Sequence, residues 1–178
     1  DAGVQPTDLD LIICATVCPD MTLPATACFV QMELGATDVA AFDLGAACSG
    51  WLYGLSVADQ FIRTGMYRRI LVIGSETLTR FTDWTDRSTC VLFGDGAGAA
   101  VLEPTDDDRG ILYSVMHADG AGWDYIHVPA GGCREVATHQ TVSDRRHFIK
   151  MRGRDVYKFA VEKMQWLLAD CTAACGLT

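Results

Sequence analysis

Short apolar runs alternate along the chain with segments in which apolar side chains recur at helical spacing. The runs at residues 9–15, 39–44 and 69–74 have the length of strands and are largely apolar, which is typical of strands buried on both faces of a sheet. A helix is predicted to start at Pro24, because proline suits the first turn, and to end at Gly35. This alternation predicts an α/β fold with a largely parallel sheet.

The pattern changes from residue 90 onward. Apolar runs at residues 90–93 and 97–102 flank the sequence Gly94-Asp95-Gly96, which predicts two strands joined in a β-hairpin. The glycines of this segment do not indicate a nucleotide-binding loop, because such a loop leads from a strand into a helix.

A polar stretch at residues 104–109 separates two parts of the chain. We therefore predict a first domain at residues 1–108 and a second domain at residues 109–178. The second domain is predicted to contain a strand at 111–117, a long loop at 119–144 and a helix at 156–175.

One cysteine, Cys48, stands where the strand at residues 39–44 gives way to a helical pattern. Apolar residues occupy most of that helix's circumference, which predicts a buried helix, and Gly50 and Gly54 allow a neighbouring backbone to come close. Unpaired N–H groups at the start of a helix favour a thiolate and are placed to hold the oxyanion of an attacked thioester. The residues alone leave two interpretations open, a nucleophile for acyl transfer and a small buried side chain.

The composition favours a soluble, cytoplasmic protein. The chain has 178 residues, none of its apolar runs reaches the roughly 18 residues of a membrane span, and Asp1 does not open a secretory signal. Its eight cysteines lie mostly in apolar strand-like or helix-like contexts, which predicts reduced thiols. The pairs Cys14/Cys18 and Cys171/Cys175 lack the further ligands of a zinc site, so no metal is predicted.

The charge distribution is uneven. With 23 acidic and 14 basic residues the net charge is −9, which argues against a nucleic-acid partner. Half of the basic residues lie within nineteen positions, and they form either a docking surface for an anionic partner or a solvated helix face. They are Arg145, Arg146, Lys150, Arg152, Arg154, Lys158 and Lys163.

Four segments of the chain occur in the same order in a known enzyme family. They are DLGAACSGWLYGLSVAD at 43–59, TDWTDRSTCVLFGDGAGAAVLE at 82–103, HADG at 117–120 and MRGRDVYKFAV at 151–161. Together they resemble the β-ketoacyl-acyl-carrier-protein synthase III family of thiolase-like condensing enzymes. The resemblance implies a homodimer of a duplicated αβαβα layered fold, incomplete in this chain. It also implies an acyltransferase that joins an acyl-coenzyme A starter to malonyl-acyl-carrier protein with loss of carbon dioxide, without a cofactor.

The resemblance implies roles for several side chains. Cys48 matches the cysteine that takes the acyl group, and Arg87 matches an arginine that contacts the nucleotide end of coenzyme A. Trp84 departs from a proline of some members and is placed to stack on the same nucleotide. The alternative for Arg87 is an ion pair with Asp83 or Asp86.

Other matching positions concern the acyl chain and the carrier protein. Leu23 matches a residue that closes the partner protomer's pocket, and a leucine where many members carry an aromatic ring implies a starter larger than acetyl, such as a branched one. Lys158, with Arg154 beside it, matches the docking site for acyl carrier protein. The acyl-pocket positions are Leu78, Phe93, Ile149 and Met151; these four and Leu23 are equally compatible with plain core packing.

The resemblance is incomplete at the condensation step. The family needs a histidine and an asparagine there, and none of His117, His127, His139 and His147 lies in a matching context. We therefore expect a central fragment that is acylated at Cys48 without condensing. Two alternatives stay open: another condensing enzyme of the quinolone or polyketide type, and a non-catalytic partner subunit that needs no thiolate.

Overall fold

The computed structural model describes residues 2–177 and divides into two compact units. The first unit runs up to Glu76 and includes Asp95–Val115, and the second comprises Thr77–Gly94 and the chain from Met116 onward. The predicted division at residues 108 and 109 concerns the two halves of a duplicated fold and stays a prediction.

The first unit is built on a four-stranded sheet. Strand β1 lies between β2 and β3 and is parallel to both, with Ile13 beside Phe42 on one side and beside Val72 on the other. Strand β4 follows β3 at the sheet edge. The strands are β1 (Leu11–Ala15), β2 (Ala40–Leu44), β3 (Ile70–Thr77) and β4 (Asp95–Leu102).

Helices α1 (Thr26–Leu34) and α2 (Gly50–Arg63) cover the sheet. Alternate residues of β1 point to opposite faces, so Ile12 and Cys14 pack with Ala27 of α1 while Leu11 and Ile13 pack with Ala58 of α2. All five residues of β1 are buried, as its apolar sequence predicted. The predicted alternation of parallel strands and helices is confirmed in this unit.

The close approach predicted for the glycines of α2 is confirmed. A Cβ atom on Gly54 would lie 2.9 Å from Cγ1 of Val72, and one on Gly50 would lie 3.2 Å from Cβ of Ala15. The prediction that α2 is buried all round is wrong, because Leu52 on its outer side is 63% exposed. The helix buries its small residues against the sheet and leaves larger ones outside.

Three strand predictions are wrong. The run at 39–44 was expected to be buried on both faces, but β2 is an edge strand with Ala40 exposed. Residues 90–93 form turns in which the N–H of Cys90 donates to the carbonyl of Asp86, so the hairpin is replaced by the single strand β4. Residues 111–117 form no strand, and the carbonyl of Ile111 accepts a hydrogen bond from Arg63 instead.

The described part of the second unit contains two short strands and two α-helices. Strands β5 (Ile126–His127) and β6 (Lys150–Met151) pair antiparallel. Helix α3 (His139–Ser143) lies within the predicted long loop, and α4 (Gly153–Ala174) starts three residues earlier than predicted.

None of the helices in the described part of the chain is both long enough and apolar enough to cross a membrane.

Candidate active site

Cys48 lies in a short 3-10 turn, Ala47–Ser49, that leads directly into α2. Its side chain is a free, exposed thiol. Sequence and structure therefore agree that this thiol stands at the N-terminal end of the helix. The interpretation as a small buried side chain is wrong, because the residue is open to solvent.

The backbone around Cys48 differs from the expected row of free N–H groups. The N–H of Ser49 donates to the carbonyl of Ala46 over 3.1 Å, and that of Gly50 donates to Ala47. These two groups are therefore engaged and cannot receive an oxyanion in this conformation. Ala47 has a φ of 45°, in the left-handed region, where a non-glycine residue costs about 1–2 kcal/mol. Such strain next to a reactive group is characteristic of functional sites.

A cavity of about 450 Å³ lies in the first unit beside the helix that follows Cys48. It is lined by Trp51, Gly74 and the small residues 96–99 of β4. The ring of Trp51 packs closely over Gly74, where an added Cβ would be 3.4 Å from the ring. The glycines and alanines of β4 thus leave open space instead of forming half of a hairpin.

In the second unit, residues 82–89 form a loop of two consecutive side-chain turns, called here the 82–89 loop. The carboxylate of Asp83 accepts from the N–H of Thr85 at 3.0 Å and from its hydroxyl at 2.6 Å. Asp86 accepts in the same way from the N–H and hydroxyl of Ser88, at 2.9 and 2.6 Å. Both turns have the Asp-x-Thr or Asp-x-Ser spacing that favours a local side-chain bond.

A guanidinium from a distant part of the chain holds the loop. Arg145 donates from Nε to Oδ2 of Asp83 over 2.9 Å and from Nη2 to Oδ1, which is a two-pronged arrangement. Asp83 is only 4% exposed. The Arg145 guanidinium, together with the Thr85 hydroxyl, holds the pKa of the Asp83 carboxyl well below its usual range.

These contacts exclude the ion pair of Arg87 with Asp83 or Asp86, and the predicted contact of Arg87 with coenzyme A stays a prediction. Asp83 is occupied by Arg145 and Asp86 by Ser88, so neither carboxylate pairs with Arg87. Among residues 2–177, the exposed Arg87 side chain makes no hydrogen bond or ion pair. Trp84, three positions earlier, is 63% exposed. The loop therefore presents an unpaired cation and an open aromatic ring.

The four predicted acyl-pocket residues lie in the second unit. Leu78 opens a 3-10 turn, Leu78–Phe81, and the N–H of Ile149 donates to the carbonyl of Phe81 over 2.8 Å. This bond brings Leu78's turn beside the segment that carries Ile149 and Met151. Ile149 is 5% exposed, whereas Phe93 is half-buried in the turns before β4.

In the first unit, Leu23 is 76% exposed and precedes a cis proline, Pro24.

The predicted basic cluster is partly neutralised: within the described residues three of its seven cations are in ion pairs, and one of them, Arg145, pairs with Asp83. Arg146 pairs with Glu135, and Arg152 pairs with both Asp124 and Asp155. Within the described residues, Arg154 and Lys158 of α4 make no side-chain hydrogen bond or ion pair, and both are exposed. These are the two positions predicted to dock a carrier protein.

Comparisons with known proteins give a consistent answer. Residues 42–120, which include Cys48 and the 82–89 loop, match the family described as 3-oxoacyl-[acyl-carrier-protein] synthase III. The chain is 54% identical over 178 residues to a β-ketoacyl-[acyl-carrier-protein] synthase III of Caldanaerobacter subterraneus subsp. tengcongensis, covering all of this chain and 54% of that protein. Over its whole length the chain is similar to synthase III proteins of this family.

Solved structures of the family have the same fold. A 3-oxoacyl-[acyl-carrier-protein] synthase III of Aquifex aeolicus superimposes with a TM-score of 0.87 at 42% identity, over 99% of this chain and 53% of that one. A priming β-ketosynthase from a polyketide biosynthetic pathway superimposes with a TM-score of 0.86 at 34% identity, over 99% and 52%. The predicted thiolase-like α/β fold is confirmed, and the chain spans about half the length of the relatives it matches.

Sequence reasoning missed some of the contacts that build this site. The two Asp turns have a local signal, the serine or threonine two positions after each aspartate. The bond between Arg145 and Asp83 joins residues 62 positions apart. No pattern in a single sequence marks such a pair, because its partners meet only in the folded chain.

Proposed function

We propose that this chain carries the acylation site of a β-ketoacyl-acyl-carrier-protein synthase III. The observation that carries the proposal is the exposed thiol of Cys48 at the start of α2, within the residues that match the family. The N-terminal end of a helix is a typical position for a nucleophilic cysteine.

The proposed reaction has two halves. In the first, the Cys48 sulfur attacks the carbonyl of an acyl-coenzyme A, a new thioester forms on the cysteine, and coenzyme A leaves as its thiolate. In the second, malonyl-acyl-carrier protein loses carbon dioxide, and its carbanion attacks the cysteine-bound acyl group. That step releases the cysteine thiolate and gives β-ketoacyl-acyl-carrier protein.

Features of the second unit support the choice of substrates. Arg87 is the type of group that binds phosphate, and Trp84 offers a face for a nucleobase. Arg154 and Lys158, which make no ion pair among residues 2–177, are available to contact an acidic carrier protein. We assign Leu78, Phe93, Ile149 and Met151 to the acyl pocket. Leu23 is assigned to the contact that closes the pocket of a second protomer, and its size favours a starter larger than acetyl.

The acyl-enzyme is tested by mass spectrometry. The natural protein that contains these residues is incubated with a mixture of acyl-coenzyme A donors, and the peptide that carries Cys48 is expected to gain the mass of one acyl group. Cys48→Ser should lose the adduct. Cys133→Ser is the matched control, because Cys133 is also a free, exposed thiol. Adduct that survives in Cys48→Ser would overturn the proposal.

The second half-reaction separates this function from its alternatives. Malonyl-acyl-carrier protein should discharge the adduct and yield a β-ketoacyl product, whereas malonyl-coenzyme A should not. Preference for malonyl-coenzyme A would indicate a synthase of the quinolone or polyketide type. An unlabelled Cys48 would indicate a non-catalytic subunit.

A further inference from the structure

The ion pair between Asp83 and Arg145 holds the 82–89 loop, and the hydrogen bonds of the Arg145 guanidinium within this loop go to Asp83 and Thr85. Asp83 immediately precedes Trp84. The backbone carbonyl of Asp83 accepts a hydrogen bond from the N–H of Asp86 over 2.9 Å, and Asp86 immediately precedes Arg87. Trp84 and Arg87 therefore lie on a turn whose first residue, Asp83, is held by Arg145. We call the pair of side chains the Asp83–Arg145 clamp.

The backbone at Arg145 carries a second observation. Helix α3 ends in a closure in which the N–H of Arg145 donates to Val142 and that of Arg146 donates to Thr141. Such a closure places its turning residue in the left-handed region, and Arg145 has a φ of 56°. Glycine is the favoured residue there, since any side chain adds strain. An arginine at this position therefore destabilises the end of α3. Its side chain, however, reaches Asp83.

Several contacts hold the guanidinium of Arg145 in one orientation. The guanidinium contacts both oxygens of Asp83, and its Nη2 also donates to the hydroxyl of Thr85 over 3.2 Å. The guanidinium carbon lies 5.0 Å above the ring of Phe148. A planar group held at a carboxylate, a hydroxyl and a ring has little freedom, so the turn that it anchors has little freedom either.

We propose that Asp83 and Arg145 are positioning residues that preorganise Trp84 and Arg87 for the nucleotide of a coenzyme A thioester. This proposal rests on the proposed function, in which those two side chains meet that nucleotide. Holding the loop in its bound shape removes the entropy that a mobile loop would lose on binding. The clamp residues themselves do not touch the substrate.

The test uses the natural protein that contains these residues and two acyl donors. One is acyl-coenzyme A, and the other is the same acyl group on N-acetylcysteamine, which lacks the nucleotide. Arg145→Gly removes the clamp and gives α3 the residue that its end favours, so the fold is preserved. We expect the KM for acyl-coenzyme A to rise about tenfold, with kcat unchanged, because one preorganised charge-assisted contact is loosened. Acylation by the N-acetylcysteamine ester should be unchanged.

Further variants sharpen the result. Asp83→Asn should reproduce the change, and Arg145→Lys should recover only part of the affinity, because an ammonium cannot contact both oxygens of Asp83 at once. Arg146→Ala is the matched control, since the neighbouring Arg146 pairs with Glu135 outside the loop. Its KM for both donors should equal that of the wild type.

Three outcomes would overturn the proposal. Equal losses with both donors would show a merely structural role. An unchanged KM in Arg145→Gly, when Arg87→Ala raises it, would show that the clamp is dispensable while the proposed function stands. An unchanged KM in Arg87→Ala, with Cys48 still acylated, would remove the nucleotide contact from the proposed function and the clamp with it.

Discussion

At the scale of single residues, Gly54 leaves less room for a Cβ atom than Gly50, the other glycine of α2. An added Cβ would lie 2.9 Å from Cγ1 of Val72, closer than side-chain carbons approach one another. This contact sets the distance between α2 and β3, and therefore where the helix that follows Cys48 can sit on the sheet.

We predict that Gly54→Ala destabilises the protein. The overpacking costs about 1–3 kcal/mol, and the better helix propensity of alanine offsets about 1 kcal/mol of it. The free energy of unfolding, measured by urea denaturation, should fall. Adding Val72→Ala should relieve the clash, so the double variant should be less destabilised than the sum of the single variants. Strict additivity would contradict this assignment.

A second prediction at this scale concerns how the stability contributed by Asp83 depends on pH. A carboxyl whose folded-state pKa is lowered contributes stability above its unfolded value of 3.8, and that stability is lost as the pH falls through the lower folded value. The difference in Tm between wild type and Asp83→Asn should therefore be constant from about pH 8 to about pH 5 and shrink below about pH 4.

An exposed aspartate provides the control for this pH dependence. Asp107 pairs with the highly exposed Arg109, so Asp107→Asn should show a small difference at every pH. A difference for Asp83→Asn that disappears already near neutral pH would show that the carboxylate does not have a lowered pKa.

At the scale of elements, the start of α1 depends on a residue outside the helix. Its N-cap, Ala25, offers no side-chain acceptor. Asp43 of β2 accepts instead from the N–H groups of Thr26 and Ala27, at 2.7 and 2.8 Å. A carboxylate at this end satisfies two otherwise unpaired donors and complements the helix dipole.

We predict that Asp43→Ala lowers the free energy of unfolding by about 1–2 kcal/mol, the usual cost of losing a cap. Asp43→Asn keeps one acceptor and should lose less. Thermal and urea denaturation measure both changes. If Asp43→Ala has the same free energy of unfolding as the wild type, the Asp43 cap does not contribute to stability.

Local patterns located most of these elements but not their ends or their burial. The apolar runs located β1 and β3, and glycine marked the end of α1 at Gly35. The run at residues 90–93 was misassigned, because an apolar composition does not distinguish a strand from a series of turns. What decides is the hydrogen bonding, and there it is supplied by Asp86 and Thr89.

At the scale of the whole molecule, the net charge of −9 opposes any acidic partner. Within the described residues three cations of α4 make no ion pair, and two of them, Arg154 and Lys158, lie four residues apart and so on one side of the helix. Arg154 and Lys158 form a cationic surface on this acidic chain, and we propose that an acidic carrier protein docks there.

Charge reversal tests this surface. Arg154→Glu with Lys158→Glu should weaken binding of acyl carrier protein roughly tenfold or more at low salt, and added salt should reduce the difference by screening. Isothermal titration at two ionic strengths measures both effects. Lys163→Glu is the control, because Lys163 lies about two and a half turns from Arg154, on the opposite side of α4. Equal weakening by the control would point to net charge rather than to docking.

The sequence by itself determined the alternation of strands and helices, the buried β1, the glycine contacts of α2 and the thiol at the start of that helix. These follow from patterns within a few residues, where side-chain periodicity and backbone preference act directly. Only the tertiary structure decided that Arg87 has no ion-pair partner within the described chain, that Arg145 holds Asp83, and that Asp43 caps α1. Each of these depends on residues far apart in the chain, whose charges and hydrogen bonds find partners only after the chain has folded.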